Sequence, residues 1–129
     1  MRKISQEELE GILEDHELWV DTIGKEGRRA DLSGVDLSGT NLSGAYLRKV
    51  NLSRADLREA NLSGANLWGT YLPWADLTGA DLTGANLQGA DLSEADLRVA
   101  TAKECHILGA KFSSPEDRVR LLMLGAWED

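Results

Sequence analysis

A strict five-residue period runs through the middle of this chain. From Ala30 the sequence reads Ala-Asp-Leu-Ser-Gly, Val-Asp-Leu-Ser-Gly, Thr-Asn-Leu-Ser-Gly, and this register holds through Ser114 without an insertion or deletion. The 17 pentapeptides account for 85 of the 129 residues. A period of five fits neither the 3.6-residue period of an α-helix nor the two-residue alternation of a long strand. The chain is therefore expected to turn a corner once in every pentapeptide.

Each position of the pentapeptide has its own residue preference. The middle residue, here called the centre, is Leu in 14 of 17 units, and the residue two places earlier is Ala in 12. Asp or Asn mostly precedes the centre, and polar residues or Gly follow it. This pattern predicts that the centres and the small residues point inward, with a β-turn starting at each centre. We expect mostly type I turns, because Trp74 and Val99 occupy a position at which a type II turn requires φ > 0.

These residues resemble the consensus of the pentapeptide-repeat family, A(D/N)LXX. The resemblance implies an all-β solenoid, a right-handed quadrilateral β-helix with four pentapeptides per coil, and so about four coils. Residues 20 apart then stack about 4.8 Å from one another, as neighbouring strands do. The inward ladders of this arrangement include Leu32, Leu52, Leu72, Leu92 and Phe112.

The two ends of the chain lack the repeat and are predicted to cover the open ends of the solenoid. We divide the chain into 1–29, an N-terminal capping helix and linker; 30–114, the repeat; and 115–129, a short C-terminal capping helix. A capping box begins at Ser5 and predicts a helix from about Gln6 to Asp21. Its apolar stripe comprises Leu9, Ile12, Leu13, His16, Trp19, Val20 and Ile23.

The C-terminal helix is more apolar than a simple lid requires. Ser114 and Pro115 give it a helix start, and Val119, Leu122, Met123 and Ala126 form its expected buried stripe. Leu121, Leu124 and Trp127 are then candidates for a dimer contact, so the protein is expected to be a monomer or a homodimer through this helix. Ordinary exposure of a few apolar residues is the alternative interpretation.

Composition excludes several functional classes. The net charge of -8 disfavours direct binding of nucleic acid, and the longest apolar run is too short for a membrane span. A single cysteine, Cys105, excludes an internal disulfide. The N-terminus does not resemble a secretion signal, so a cytoplasmic location is expected. The spacing of His, Cys, Ser and acidic residues predicts no catalytic residue, cofactor or metal ligand, and His16 and Cys105 are expected to be buried structural residues.

Two sets of residues on the outer faces are candidates for function. Asp36, Asp56, Asp76 and Asp96 form a predicted carboxylate ladder, which either holds metal, mimics phosphates, or accepts hydrogen bonds from turn backbone. The last interpretation is favoured, since a flat wall converges poorly on an ion. The candidate protein-binding residues are Tyr46, Trp68, Tyr71 and Trp74, aromatic side chains at outward positions that the solenoid does not need.

Two functions follow from these features. The first is a non-enzymatic structural or protein-interaction module with an unidentified protein partner, built around the four aromatic residues. In the alternative structural interpretation, the rings lie flat on their neighbours, with Arg48 and Arg54 in cation–π contact. The second function is mimicry of DNA toward gyrase, which some family members perform. It is disfavoured because residues 30–114 carry 10 acidic and 7 basic side chains, a net charge of only -3.

Overall fold

The computed structural model describes residues 1–128 as a four-sided solenoid with a helix at each end. The elements are β1 (Arg2–Lys3), α1 (Gln6–Asp21), β2 (Val35–Asp36) and α2 (Pro115–Met123). Parallel bridges join residues 20 apart along four ladders, one of which runs through Asp31, Asn51, Tyr71, Asp91 and Lys111. Four five-residue sides therefore make one coil. Within residues 1–128, neither helix has the length and apolar character needed to cross a membrane.

The interior is filled by the centres of the pentapeptides. Every leucine centre from Leu32 to Leu97 is at most 4% exposed, which confirms the predicted inward ladders. Small residues fill the space between them, and Cys105, at one such position, is fully buried. Burial raises the pKa of the Cys105 thiol to about 12, so the thiol is inert at neutral pH, as predicted.

The repeat satisfies its backbone N–H groups in a fixed scheme, illustrated by residues 55–59. One N–H closes the turn, three join neighbouring coils, and one is accepted by a side chain. The bonds are Ala55 N to Leu52 O (3.1 Å), Asp56 N to Val35 O (3.0 Å), Leu57 N to Asp76 O (2.8 Å), Arg58 N to Asp56 Oδ1 (3.1 Å) and Glu59 N to Thr78 O (2.9 Å). An Asp or Asn before the centre is therefore part of the scaffold.

The turns are type II at most corners, so the expectation of type I is wrong. The second residue after the centre has positive φ in 15 of the 17 units, including Trp74 at 63°. The reason lies in the central peptide of the turn, whose N–H joins the next coil, as in the 3.1 Å bond from Trp74 N to Ser93 O. This bond recurs at successive coils and offsets the roughly 1–2 kcal/mol cost of the left-handed conformation.

Val99 is an exception: it does not adopt the positive φ that a type II turn requires at this position. The turn bond from the Ala100 N–H to Leu97 O is replaced by a bond to Ala80 O at 2.9 Å. Val99 is buried, while Ala100 is exposed although the repeat predicts that it points inward. A β-branched side chain excludes the left-handed conformation more strongly than the unbranched side chains of Trp74 or Glu59.

Helix α1 lies against the first coil and is anchored by His16. Ser5 caps the helix by accepting a 3.0 Å bond from Glu8 N, and Leu9 and His16 are buried. Ile23, predicted as the end of the apolar stripe, is 91% exposed because the helix ends before it. No pattern in the sequence indicates β1. This strand pairs in parallel with β2 and so adds one strand to the ladder of bridges that contains Asp36.

Helix α2 presents a different face to the core than its sequence predicts. Leu121 is fully buried, so it cannot contact a second molecule, and its assignment as a dimer contact is wrong. The expected buried residues Val119 and Met123 are 50% and 82% exposed. After the helix, the chain returns to pair with the last coil, where Trp127 N bonds to Cys105 O at 2.7 Å. The pairing of Trp127 with the last coil fixes which face of α2 points toward the core.

Candidate functional site

The carboxylate ladder is engaged in holding the turns. Oδ1 of each Asp accepts the N–H of the residue two places later, at 3.0 to 3.2 Å, in Asp36, Asp56, Asp76 and Asp96. In addition, Arg58 and Arg98 form two-pronged ion pairs with Asp56 and Asp96. The hydrogen bonds from Arg98 lower the pKa of Asp96 to about 2. The carboxylates therefore have the backbone-capping role that the sequence favours.

The aromatic residues lie along two adjacent sides of the solenoid. Trp68 is 37% exposed, Tyr71 42% and Trp74 57%, whereas Tyr46 is partly buried. We call Tyr46, Trp68, Tyr71 and Trp74 the aromatic corner. Other coils carry Asn, Asp, Ser, Gln, Gly or Glu in most of the corresponding positions. Three large rings therefore reach solvent at positions where most other coils carry smaller polar groups.

Cationic side chains from the preceding coil lie over the two tryptophans. The guanidinium carbon of Arg48 is 4.7 Å from the centroid of the Trp68 ring, and Lys49 Nζ is 5.5 Å from it. Arg54 lies 5.7 Å from the centroid of the Trp74 ring. These are the cation–π contacts that the structural interpretation predicts, and each adds about 0.5–1 kcal/mol at an exposed site. They also hold the rings in place, and both rings remain partly exposed to solvent.

A local sequence change compensates for the presence of Tyr71. Tyrosine cannot offer the amide or carboxylate oxygen that caps the N–H two residues later in most units. The residue at that place is Pro73, which has no N–H. At the neighbouring side, Asn66 Oδ1 accepts the Trp68 N–H at 3.1 Å in the usual way. The backbone thus tolerates both rings without an orphaned donor at either position.

A cleft adjoins the aromatic corner at the end of α1. It measures about 270 Å³ and is lined by Trp19, Val20, Ile23, Gly24, Arg48 and Lys49. Ile23 is almost fully exposed and adopts φ of 55°, a left-handed conformation that is rare for a β-branched residue. The sequence does not indicate this cleft, because the helical spacing places Ile23 in the buried stripe.

The C-terminal end carries a second apolar surface. Leu124 is 36% exposed and Trp127 45%, and the Trp127 ring meets the His106 ring edge-on at 5.0 Å. An open groove of about 600 Å³ runs between α2 and the Val99 side. Its apolar lining includes Val119, Met123 and Leu124. Two of the three residues predicted as dimer contacts are therefore accessible.

The buried histidine is not arranged for catalysis. Both ring nitrogens of His16 bond to backbone, Nδ1 accepting from Ala30 N at 2.8 Å and Nε2 lying 2.5 Å from Arg48 O. Burial lowers the pKa of His16, the hydrogen bond to the Arg48 carbonyl opposes this shift, and Arg29 adds a smaller lowering. Among residues 1–128, no group of three or more His, Cys, Asp or Glu side chains is arranged to hold a metal ion.

Comparison with known proteins defines the class of this fold. The family model for pentapeptide repeats matches residues 28–64, 60–98 and 80–114, with 8 copies. The chain belongs to the pentapeptide-repeat family. Its structural neighbours in that family imply that the solenoid is a right-handed quadrilateral β-helix. A comparison with curated protein sequences found no significant match.

Solved structures of other repeat proteins are similar to this chain. A pentapeptide repeat protein from the thylakoid lumen of Arabidopsis thaliana is 33% identical, with a TM-score of 0.62 over 73% of this chain and 80% of that one. A pentapeptide repeat protein from Nostoc PCC 7120 is 34% identical, with a TM-score of 0.53 over 88% and 91%. QnrB1, a plasmid-mediated fluoroquinolone resistance protein, is 24% identical, with a TM-score of 0.57 over 69% and 41%. At that identity the likeness to QnrB1 concerns the fold alone.

Proposed function

We propose that this protein is a non-enzymatic interaction module that binds a protein partner through the aromatic corner. One observation carries the proposal. Trp68, Tyr71 and Trp74 are 37–57% exposed at positions where the repeat needs no ring. Rigid aromatic side chains give a large contact area at a low entropic cost. They are over-represented among the residues that contribute most of the binding energy at protein interfaces.

Exchange of both tryptophans tests this proposal. Trp68→Ser with Trp74→Ser should keep the fold and lose cross-linked partners that the wild-type protein captures from its native host. The matched control is Leu18→Ser with Leu108→Ser, which removes two exposed apolar side chains outside the aromatic corner and the α2 groove. Capture that survives the tryptophan exchange, or that is lost only in the control, would contradict the assignment of the binding surface.

The two helices are proposed to close the ends of about four coils. At the N-terminal end, His16 bonds to Arg48 O, which occupies the place where Trp68 O of the next coil accepts Lys49 N at 3.1 Å. At the C-terminal end, Leu121 is buried and Trp127 pairs with the last coil. Deleting residues 1–21 should expose Arg48 O and the edge of the first coil and so produce aggregation, measured by light scattering. A monodisperse truncated protein would contradict the capping role of α1.

A homodimer through α2 is the proposed assembly, supported by the exposure of Leu124 and Trp127 beside the apolar groove. Leu124→Glu with Met123→Glu should convert a dimer into a monomer in sedimentation experiments. A wild-type protein that sediments as a monomer at micromolar concentrations would contradict this assembly.

The proposed compartment is the cytoplasm, although one structural neighbour comes from the thylakoid lumen.

Mimicry of DNA toward gyrase has less support. A mimic needs free carboxylates in a regular array, whereas Asp56 and Asp96 are neutralised by Arg58 and Arg98. The chain therefore should not inhibit gyrase. A supercoiling assay in which the protein blocks gyrase at micromolar concentrations would reverse the order of the two proposals.

A further inference from the structure

The aromatic corner is surrounded by a group of cations that have no acidic partner. Arg29, Arg48, Lys49 and Arg54 form no ion pair within residues 1–128, and neither do Lys25, Arg28, Lys103, Lys111 and Arg120, whereas Arg2, Lys3, Arg58, Arg98 and Arg118 each do. In a chain of net charge -8, four of these nine unpaired cations therefore lie around the aromatic corner. We call these four residues the cationic rim.

The rim is continuous with the exposed rings. Arg29 Nε donates to Lys49 O at 2.7 Å, which holds the linker against the first coil. Arg48 and Lys49 then lie over Trp68, and Arg54 lies over Trp74. A guanidinium stacked on an indole keeps its in-plane N–H groups available for a carboxylate. Arg48 Nε is buried and has no partner in the described residues, so the donors that a carboxylate can reach are the other N–H groups of this guanidinium.

The cleft beside the rim adds an apolar site to the cationic one. Trp19, Val20 and Ile23 line it on the α1 side, and Arg48 and Lys49 line it on the solenoid side. A volume of about 270 Å³ admits one or two aliphatic side chains. A partner that satisfies both features carries carboxylates and an apolar side chain in the same short segment.

We infer that the aromatic corner and its cationic rim bind an acidic peptide segment of a partner protein, with an apolar side chain of that segment in the cleft. This inference rests on the proposed function and specifies its partner. Charge complementarity supports it, since close opposite charges favour encounter and register. A nucleic-acid strand fits less well, because it has no aliphatic side chain to place in the cleft beside Val20 and Ile23.

Fluorescence anisotropy tests the inference with a labelled peptide of four Glu-Glu-Leu repeats. The comparison ligands are the corresponding Gln-Gln-Leu peptide and an oligothymidylate of similar charge. Lys49→Gln with Arg54→Gln removes two exposed cations of the rim. The matched control, Lys103→Gln with Lys111→Gln, removes two cations nearer the C-terminal end. Lys111 lies about three rungs, or ~14 Å, from Lys49 and two rungs, or ~10 Å, from Tyr71, both beyond the ~8 Å screening length at physiological salt.

The acidic peptide should bind at least about tenfold more tightly than the Gln-Gln-Leu peptide, and the rim variant should weaken it about tenfold. The control should change binding less than about twofold. Equal losses in both variants, tighter binding of the oligothymidylate, or no binding of the acidic peptide would overturn the inference. If host capture depends on the two tryptophans but not on Lys49 and Arg54, the inference fails while the proposed function stands. If it depends on neither pair, the proposed function fails as well.

Discussion

His16 bonds to the main-chain oxygen of Arg48 in the first coil of the solenoid. Nε2 of the ring lies 2.5 Å from Arg48 O, and Nδ1 accepts the N–H of Ala30 at 2.8 Å. Within the repeat, the equivalent oxygens accept N–H groups from the preceding coil, as Trp68 O does from Lys49. One imidazole therefore satisfies a donor and an acceptor at the edge where the ladder begins.

This arrangement makes stability depend on pH. Burial lowers the pKa of His16 in the folded state below its ordinary value of 6.5, so below that pH the unfolded state binds more protons. Stability should be at its maximum above pH ~6.5 and fall as the pH decreases toward the folded-state pKa. Urea unfolding from pH 7.5 downward measures this loss, and His16→Gln should flatten the curve in that window. An equal slope in the variant would show that other groups cause it.

Leu72 lies in the middle of an inward ladder and is 1% exposed. Leu72→Ala should lower the free energy of unfolding by about 2–5 kcal/mol, because it removes buried methyl groups and leaves a cavity. Leu108→Ala, the same exchange at a side chain that is 53% exposed, should change it by less than about 0.5 kcal/mol. Circular dichroism melts compare the two, and similar values would contradict the inward orientation of Leu72.

Two glycine-to-alanine exchanges should have opposite signs. Gly84 has φ of 66°, and a Cβ added there would meet only Gly64 N, at an ordinary contact distance of 4.0 Å, so Gly84→Ala should destabilise by about 1 kcal/mol through backbone strain. Gly11 lies within α1, also with open space, and Gly11→Ala should stabilise by about 0.5–1 kcal/mol. Denaturant unfolding measures both. A neutral Gly84→Ala exchange would contradict the type II turn at that corner.

Asp56 is 5% exposed, and its Oδ1 accepts the Arg58 N–H at 3.1 Å. Asp56→Ala should cost about 1–3 kcal/mol, since it leaves that donor without its acceptor. Asp56→Asn supplies an amide oxygen as the acceptor, as Asn51 and Asn61 do in their own units, and should cost about 1 kcal/mol or less. If the two variants unfold at the same denaturant concentration, the ion pair with Arg58 outweighs the backbone bond.

The sequence is sufficient to predict the repeat, its inward leucines and the limits of α1, because each depends on a pattern repeated many times or on a strong local signal. The turn type cannot be predicted in this way because it depends on the bond between Trp74 N and the next coil, which a single unit does not reveal. The buried face of α2 escapes prediction for a similar reason. A helix of 9 residues has little periodicity, and the later pairing of Trp127 with the last coil decides its orientation.

The candidate site can be predicted in part. Outward aromatic residues can be read from the five-residue register, which is how Trp68, Tyr71 and Trp74 are found. The rim is only partly evident in the sequence, since Arg29 joins it through a bond to Lys49 that crosses 20 residues. The cleft at Ile23 depends on how the chain leaves α1, and no residue pattern in the linker specifies that path.

The central claim is that the aromatic corner serves binding and is not needed to hold the solenoid together. The free energy of unfolding of the Trp68→Ser, Trp74→Ser variant tests it most directly, with Leu72→Ala as the reference. We expect a loss of about 1.5–3 kcal/mol, the value of the three exposed cation–π contacts, and a smaller effect than that of Leu72→Ala. A loss equal to or greater than that of Leu72→Ala would show that the rings are structural, and would contradict the claim.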